Sequence, residues 1–139
     1  MAYKSIMVSL NCTEKEQNVI HEAVRLARDM HSKVSAIHIN DPAAGKSHMM
    51  MGGLPLKKEC DIRNQFRKLG YQREAEEVNV IITESANYPK EIAKATKDID
   101  LLVMGHQIKR NVVSALAGSV DERVSNMIKC PMLVVPILR

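Results

Sequence analysis

The sequence predicts an α/β fold, in which a doubly wound, five-stranded parallel sheet lies between two layers of helices. Short apolar runs alternate along the chain with amphipathic segments of helical period, which implies parallel strands joined by right-handed crossovers. The runs are continuous rather than alternating with polar residues, as is typical of strands covered on both faces. The length of 139 residues and the absence of a linker or internal repeat predict a single domain, 1–139.

The first strand and helix are the most clearly marked elements. Residues 5–10 form a short apolar run, which Asn11-Cys12 interrupts. Thr13 and Glu16 form a capping-box pair at the start of a helix. The helix carries an apolar stripe at helical spacing, made of Val19, Ile20, Ala23, Val24, Ala27 and Met30.

The same alternation continues to the end of the chain. Residues 33–39 form the second strand, in which His38 is expected to be a core or half-buried histidine, and 40–55 form a long loop. The remaining elements are predicted as helix 56–69 with Gly70 as its C-cap, a linker, strand 78–83, helix 89–98, strand 101–104 ending at Gly105, a helix beginning at 118–119, and strand 132–137. Pro136 cannot donate to a strand ladder, so the last strand is expected at an edge of the sheet.

Composition narrows the class of function. The net charge of +4 and the pI of about 9.0 come from scattered basic residues without interleaved aromatics, so nucleic-acid binding is not expected. The cysteines at 12, 60 and 130 match no zinc pattern and indicate free thiols, and no metal site is expected. The sequence shows no secretory signal and no run of 18 apolar residues, so we expect a cytoplasmic protein without a membrane span.

Ligands of open parallel sheets bind beyond the carboxyl ends of the strands, which points to the loops after the first and fourth strands. Gly105 permits a close backbone approach, and Gly118-Ser119 at a helix start presents N–H groups and a hydroxyl that suit a phosphate. Lys109 and Arg110 add positive charge to the same loop.

These segments resemble the universal stress protein family. Gly105 to Ser119 is similar to its signature G-x-x-G-(nine residues)-G-[S/T], and IMVSLNCT, IDLLVMGH and GSVDERVSNMIKCPMLVVP resemble its first strand, fourth strand and last helix and strand. The resemblance leads us to expect a Rossmann-like strand order of 3-2-1-4-5 and binding of ATP, or of AMP or ADP, with Mg²⁺ as a further candidate. The expected nucleotide site comprises Asn11, Asp41, Gly105, His106, Lys109, Arg110, Gly118, Ser119 and Val120.

Two departures from the family pattern keep a second interpretation open. Ile108 replaces the second motif glycine, and Asn11 replaces the aspartate that usually follows the first strand. The alternative is a universal stress protein that binds no nucleotide and acts as a dimeric interaction module. The resemblance implies that such homodimers join through the last strand, Met132 to Ile137.

The candidate residues also have purely structural interpretations. On that interpretation Ser119 only caps the last helix, Gly105 only permits packing, and Lys109 and Arg110 are solvated charges, as such residues most often are. For Asp41, the sequence favours a loop carboxylate before Pro42 over a contact to the nucleoside. No serine-hydrolase, zinc-protease or P-loop motif is present, so the sequence predicts a stress-response protein that binds its nucleotide as a ligand, with slow hydrolysis at most.

Overall fold

The structure is a computed structural model that describes residues 3–45, 55–107 and 120–137. Within these ranges five parallel strands form one sheet in the order β3-β2-β1-β4-β5, which confirms the predicted fold class and strand order. The strands are β1 Ser5–Ser9, β2 Lys33–Asn40, β3 Asn79–Glu84, β4 Leu101–Gln107 and β5 Met132–Ile137. The helices are α1 Gln17–Met30, preceded by a 3-10 turn Glu14–Glu16, then α2 Glu59–Lys68, α3 Gln72–Glu77, α4 Tyr88–Ala95 and α5 Val120–Ser125.

The central strand β1 divides the core into two layers. Its side chains point alternately to opposite faces, and the strand pairs with β2 on one side and β4 on the other. Ile6 and Val8 are fully buried against a cluster that includes α1 and α2, whereas Met7 is buried against the cluster that includes α4 and α5. This burial on both faces explains why the run in the sequence is continuously apolar.

The second half of the chain departs from the predicted boundaries. The helix predicted from residue 56 begins only at Glu59, and the predicted linker contains the short helix α3. Gly70 follows α2 with a φ of 85°, as expected of a glycine that ends a helix. The predicted end of the fourth strand at Gly105 is wrong, because β4 continues to Gln107.

The last helix is short. It ends at Ser125, and Met127 beyond it is 47% exposed. Val124, which belongs to this helix, is fully buried. β5 lies at the edge of the sheet and contains Pro136, as predicted. No helix among the described residues is long and apolar enough to cross a bilayer.

A half-buried ion pair joins α1 to α3 near the amino edge of the sheet. The Arg28 guanidinium donates to both carboxylate oxygens of Glu74, at 2.7 and 3.0 Å, and lies 5.0 Å from the centre of the Tyr71 ring. Glu74 is buried and Arg28 is half-exposed, so the pair excludes water on one side only. The hydrogen bond from Arg28 holds the pKa of Glu74 below its usual value.

Replacing Glu74 with Gln is expected to lower the free energy of unfolding by about 1 kcal/mol at pH 7, since Arg28 loses its bidentate partner but is half-exposed, so that solvent screens the pair. The lowered carboxyl pKa means that the pair stabilises fully above the ordinary carboxyl value and is lost as pH falls through the lowered value. The difference between wild type and Glu74→Gln should therefore shrink between pH 7 and pH 3, measured by urea unfolding. The matched control is Glu77→Gln, because Glu77 pairs with Arg73 on the exposed surface. Equal losses in both variants would contradict this assignment.

Candidate functional site

The strand order places the topological switch point between β1 and β4. The chain leaves β1 toward β2 on one side and leaves β4 toward β5 on the other. Ser9, the last residue of β1, is the register partner of Met104, and β4 continues beyond this point to Gln107. A crevice at this point, beyond the carboxyl ends of the strands, is where open α/β sheets bind ligands.

The turn after β1 is held by a buried carboxylate. The Asn11 backbone N–H donates to both oxygens of Glu16, at 3.0 and 2.8 Å, and the Thr13 N–H donates to one of them at 3.1 Å. Glu16 is 2% exposed. Cys12 between them has a φ of 61°, in the left-handed region that a side chain other than glycine enters at a cost of about 1–2 kcal/mol. Asn11 itself is exposed.

The electrostatics of this turn follow from burial. Burial raises the pKa of Glu16, and the N–H groups of Asn11, Thr13 and Cys12 act in the opposite direction by favouring the ionised carboxylate. Burial also raises the pKa of the Cys12 thiol to about 12, with the nearby Glu16 carboxylate adding to the effect. The thiol is therefore protonated at neutral pH and is not a nucleophile.

A second buried polar group lies at the end of β2. His38 contacts the Leu10 carbonyl oxygen through Nδ1, at 2.7 Å, and the Asn40 Oδ1 through Nε2, at 3.1 Å. The Asn40 side chain in turn accepts from the Lys57 N–H at 3.0 Å and donates to the Lys57 carbonyl at 2.9 Å. His38 is buried, as predicted, and it links the end of β1 to the segment before α2.

Asp41 follows this group directly. Its Oδ1 accepts the backbone N–H of Ala43 at 2.8 Å, and its carbonyl oxygen accepts the N–H of Ala44 at 2.8 Å. The side chain thus stabilises its own turn, as aspartate often does after a strand. A nucleoside contact by Asp41 stays a prediction.

Gly105 lies inside β4 and not after it. A Cβ built on this residue would stand 2.3 Å from Ile137 Cδ1 and 2.9 Å from Val19 Cγ2. Gly105 is therefore required for the packing of β4 against β5 and α1, which is the structural alternative drawn from the sequence. His106 is paired in register with Pro136 of β5.

Most of the remaining predicted site residues belong to the loop between β4 and α5. Lys109, Arg110, Gly118 and Ser119 lie outside the described residues, as does Ile108. Val120 is the first residue of α5. The phosphate-binding role of this loop therefore stays a prediction.

Sequence reasoning missed the polar cluster formed by Glu16, His38, Asn40 and the Lys57 backbone. The capping-box pattern indicated that Glu16 reaches back, but it carried no sign of burial. A polar residue that ends an otherwise apolar strand, as Asn40 does, is the one local signal of a buried hydrogen-bonded position. The contact to Lys57 spans 17 residues of chain, so no local pattern predicts it.

Cavities alone do not identify the site. A cavity of about 360 Å³ lies between the turn after β1 and α2, and its lining includes Cys12, Lys57 and Asp61. A larger one, of about 750 Å³, lies near the opposite, amino edge of the sheet beside Arg28 and Lys33. Ligands of this fold class bind at the carboxyl edge, so position in the sheet outweighs size here.

Comparisons with known proteins agree with the fold. The family model described as Universal stress protein family matches residues 2–136. Universal stress protein A of Yersinia pestis is 26% identical over 143 residues, which cover 99% of this chain and 94% of the relative.

Solved structures share the architecture at lower identity. A universal stress protein in complex with cAMP matches with a TM-score of 0.65 and 15% identity, covering 99% of both chains. The universal stress protein of Archaeoglobus fulgidus in complex with dAMP matches with a TM-score of 0.60 and 17% identity, covering 97% of this chain and 99% of that one.

The sheet order and the switch point between β1 and β4 define a Rossmann-like α/β protein. Since the family model spans nearly the whole chain, the protein belongs to the universal stress protein family.

Replacing Gly105 with Ala is expected to lower the free energy of unfolding by about 1–3 kcal/mol, because the new methyl group overlaps Ile137 and Val19. Removing the nearest clashing atom in the double variant Gly105→Ala/Ile137→Val should recover part of the loss. Urea unfolding of the two single variants and the double variant gives the coupling energy. Strictly additive losses would show that the packing argument is wrong.

Proposed function

We propose that this protein binds an adenine nucleotide as a ligand at the carboxyl edge of its sheet. The observation that carries the proposal is that two structural neighbours with the same fold are complexes with cAMP and dAMP. The switch point of this chain is polar and presents the exposed Asn11 on a turn that Glu16 fixes. A fixed turn supports binding because little further ordering is needed when the ligand arrives.

The nucleoside and the phosphates would occupy different parts of the crevice. The adenine and ribose would lie near Asn11 and Asp41, since an amide offers both a donor and an acceptor to them. The phosphates would lie along the loop after β4, where Gly118 and Ser119 precede α5 and Lys109 adds charge. The proposed site also includes Gly105, His106, Arg110 and Val120.

ATP, ADP and AMP all fit this proposal, and Mg²⁺ would accompany the phosphates. The described residues contain no cluster of histidine, cysteine and acidic side chains that could hold a metal. The ion would therefore be held by phosphate oxygens and water, which is how Mg²⁺ commonly accompanies triphosphates. We propose that this protein responds to stress through the bound nucleotide and hydrolyses it slowly at most. We also propose that it is cytoplasmic.

Millimolar ATP with Mg²⁺, or AMP alone, is expected to raise the melting temperature of the wild type. A ligand at 100 times its Kd adds about 2.7 kcal/mol to the free energy of unfolding. Asn11→Ala should weaken this stabilisation, because the nucleoside loses its amide partner. The matched control is Asn79→Ala, an exposed asparagine at the opposite edge of the sheet. The wild type and the two variants are measured by differential scanning fluorimetry with and without nucleotide.

An unchanged melting temperature at millimolar nucleotide would refute the proposal for the wild type. Ile108→Gly then separates the two interpretations drawn from the sequence. Binding gained only in Ile108→Gly would show that Ile108 closes the phosphate site and would favour the interaction module.

We also propose that the protein forms a homodimer through β5, whichever interpretation holds. β5 is an edge strand that carries the apolar segment Met132–Ile137, and its Val134 is half-buried in a single chain. Pairing of two edge strands would satisfy N–H and C=O groups that an edge leaves open.

Val134→Lys is expected to convert the dimer to a monomer, since burying a lysine at the strand interface is costly. Sedimentation velocity at several protein concentrations measures the change. The control is Asn79→Lys, which adds the same charge at the other edge strand. A wild type that sediments as a monomer throughout would rule out this dimer.

A further inference from the structure

A cavity of about 750 Å³ lies at the amino edge of the sheet, away from the proposed nucleotide site. Its lining comes from the end of α1, from α3 and from the first residues of β1, β2 and β3. The cations of this lining are Arg28, Lys33 and Arg73, and its carboxylates are Glu74 and Glu77. With histidine counted as neutral, one positive charge is therefore in excess. Ligand pockets commonly measure roughly 300–1,000 Å³, so the cavity can hold a small organic molecule.

The Arg28 guanidinium is held in place and still has unused donors. Its Nε and Nη2 atoms donate to the two carboxylate oxygens of Glu74, at 2.7 and 3.0 Å, and its Cζ lies 5.0 Å from the centre of the Tyr71 ring. A guanidinium has five N–H groups, so two on Nη1 and one on Nη2 remain. Within the described residues no acceptor is hydrogen bonded to these three groups, and the side chain is 51% exposed. They form a second fork, whose parallel N–H groups match the two oxygens of a carboxylate.

Lys33 and Arg73 add positive charge that no close partner neutralises. Lys33 is exposed, and its ammonium group makes no ion pair with any residue in the described ranges. The Arg73 guanidinium lies 4.0 Å from the carboxylate of Glu74 and 3.9 Å from that of Glu77, which is too far for a hydrogen bond. Both cations can therefore turn toward an anion in the cavity without breaking a hydrogen bond to another described residue.

The end of α1 and the two carboxylates oppose a bound anion, and each is partly compensated. The last carbonyl groups of a helix carry partial negative charge. At the end of α1, however, the Ala27 carbonyl oxygen accepts the N–H groups of both His31 and Ser32. The Glu74 carboxylate is engaged in its bidentate pair, and Glu77 is 70% exposed, so solvent screens its charge.

The rest of the lining is suited to an apolar body. Ala27, Val34 and Val78 line the cavity together with the charged groups. We propose that the cavity binds a small monocarboxylate, whose carboxylate accepts the free N–H groups of Arg28 and whose apolar body contacts these three side chains. A single negative charge neutralises the positive excess, whereas a phosphate dianion would leave the site negative. This site and the proposed nucleotide site lie at opposite edges of the sheet, so the two proposals are independent.

Titration of hexanoate into nitrogen-15-labelled protein at pH 7 tests the site directly. Hexanoate carries one carboxylate and a short apolar chain. We expect saturable shifts of the backbone amide signals of Lys33, Ser35 and Asn79, with a Kd in the millimolar range that is usual for so small a ligand. Signals at the carboxyl edge, such as those of Asn11 and Asn40, should stay in place. Hexanamide, which keeps the chain and lacks the charge, should produce no saturable shift.

Arg28→Lys is the most informative variant, because it keeps the charge and removes the fork. It is expected to weaken hexanoate binding about tenfold, since a hydrogen bond to a charged group contributes at least this much. The double variant Lys33→Gln/Arg73→Gln should weaken binding about threefold, since exposed charges contribute less. Both of its positions are exposed, so it tests the site even if Arg28→Lys does not fold. The matched control is Arg25→Gln, which removes a 67%-exposed charge of α1 outside the cavity and should leave the Kd unchanged.

The proposal is overturned if the wild type shows no saturable shifts, or if hexanamide produces the same ones. Equal weakening by Arg25→Gln and the double variant would also overturn it, because hexanoate would then respond only to the net charge of the protein. Inorganic phosphate is the third probe, and a lower Kd for phosphate than for hexanoate would refute the carboxylate assignment. Asn11→Ala, which tests the nucleotide site, should bind hexanoate as the wild type does, so the failure of either site is recognised separately.

Discussion

The structure depends on the burial of β1 on both faces and along both edges. Ile6, Met7 and Val8 lie in the core, and the strand is hydrogen bonded to β2 and to β4. A strand held in this way cannot shift its register without exposing its apolar side chains. The residues that follow it, beginning with Asn11, therefore leave the sheet at a fixed point. The position of the turn after β1 is a consequence of this packing.

Polar groups at the end of such a strand must find partners, because water does not reach them. Glu16 supplies the acceptor for the N–H of Asn11, and His38 supplies a donor for the carbonyl of Leu10. Asn40 then links this pair to the backbone of Lys57. Buried networks of this type are strong when every member is satisfied and costly when one is not. These hydrogen bonds hold the turn after β1 and the segment before α2 in place.

Gly105 matches a family signature associated with ligand contact, but in this structure the packing of β4 against β5 and α1 requires it. Its hydrogen lies against Ile137 and Val19, in space that any side chain would need. A motif glycine can therefore be required by packing alone, and its presence does not by itself argue for a phosphate. The exposed Asn11 is a better indicator, since no described contact within the protein uses its side chain.

The sequence by itself determined the α/β class, the alternation of strands and helices and the edge position of β5. These features follow from hydrophobic period, capping patterns and Pro136, all of which act over a few neighbouring residues. Only the tertiary structure decided that β4 extends through Gly105 and that Glu16 and His38 flank one peptide. Those outcomes depend on contacts between segments far apart in the chain, such as Asn40 with Lys57. Local sequence patterns do not predict such contacts.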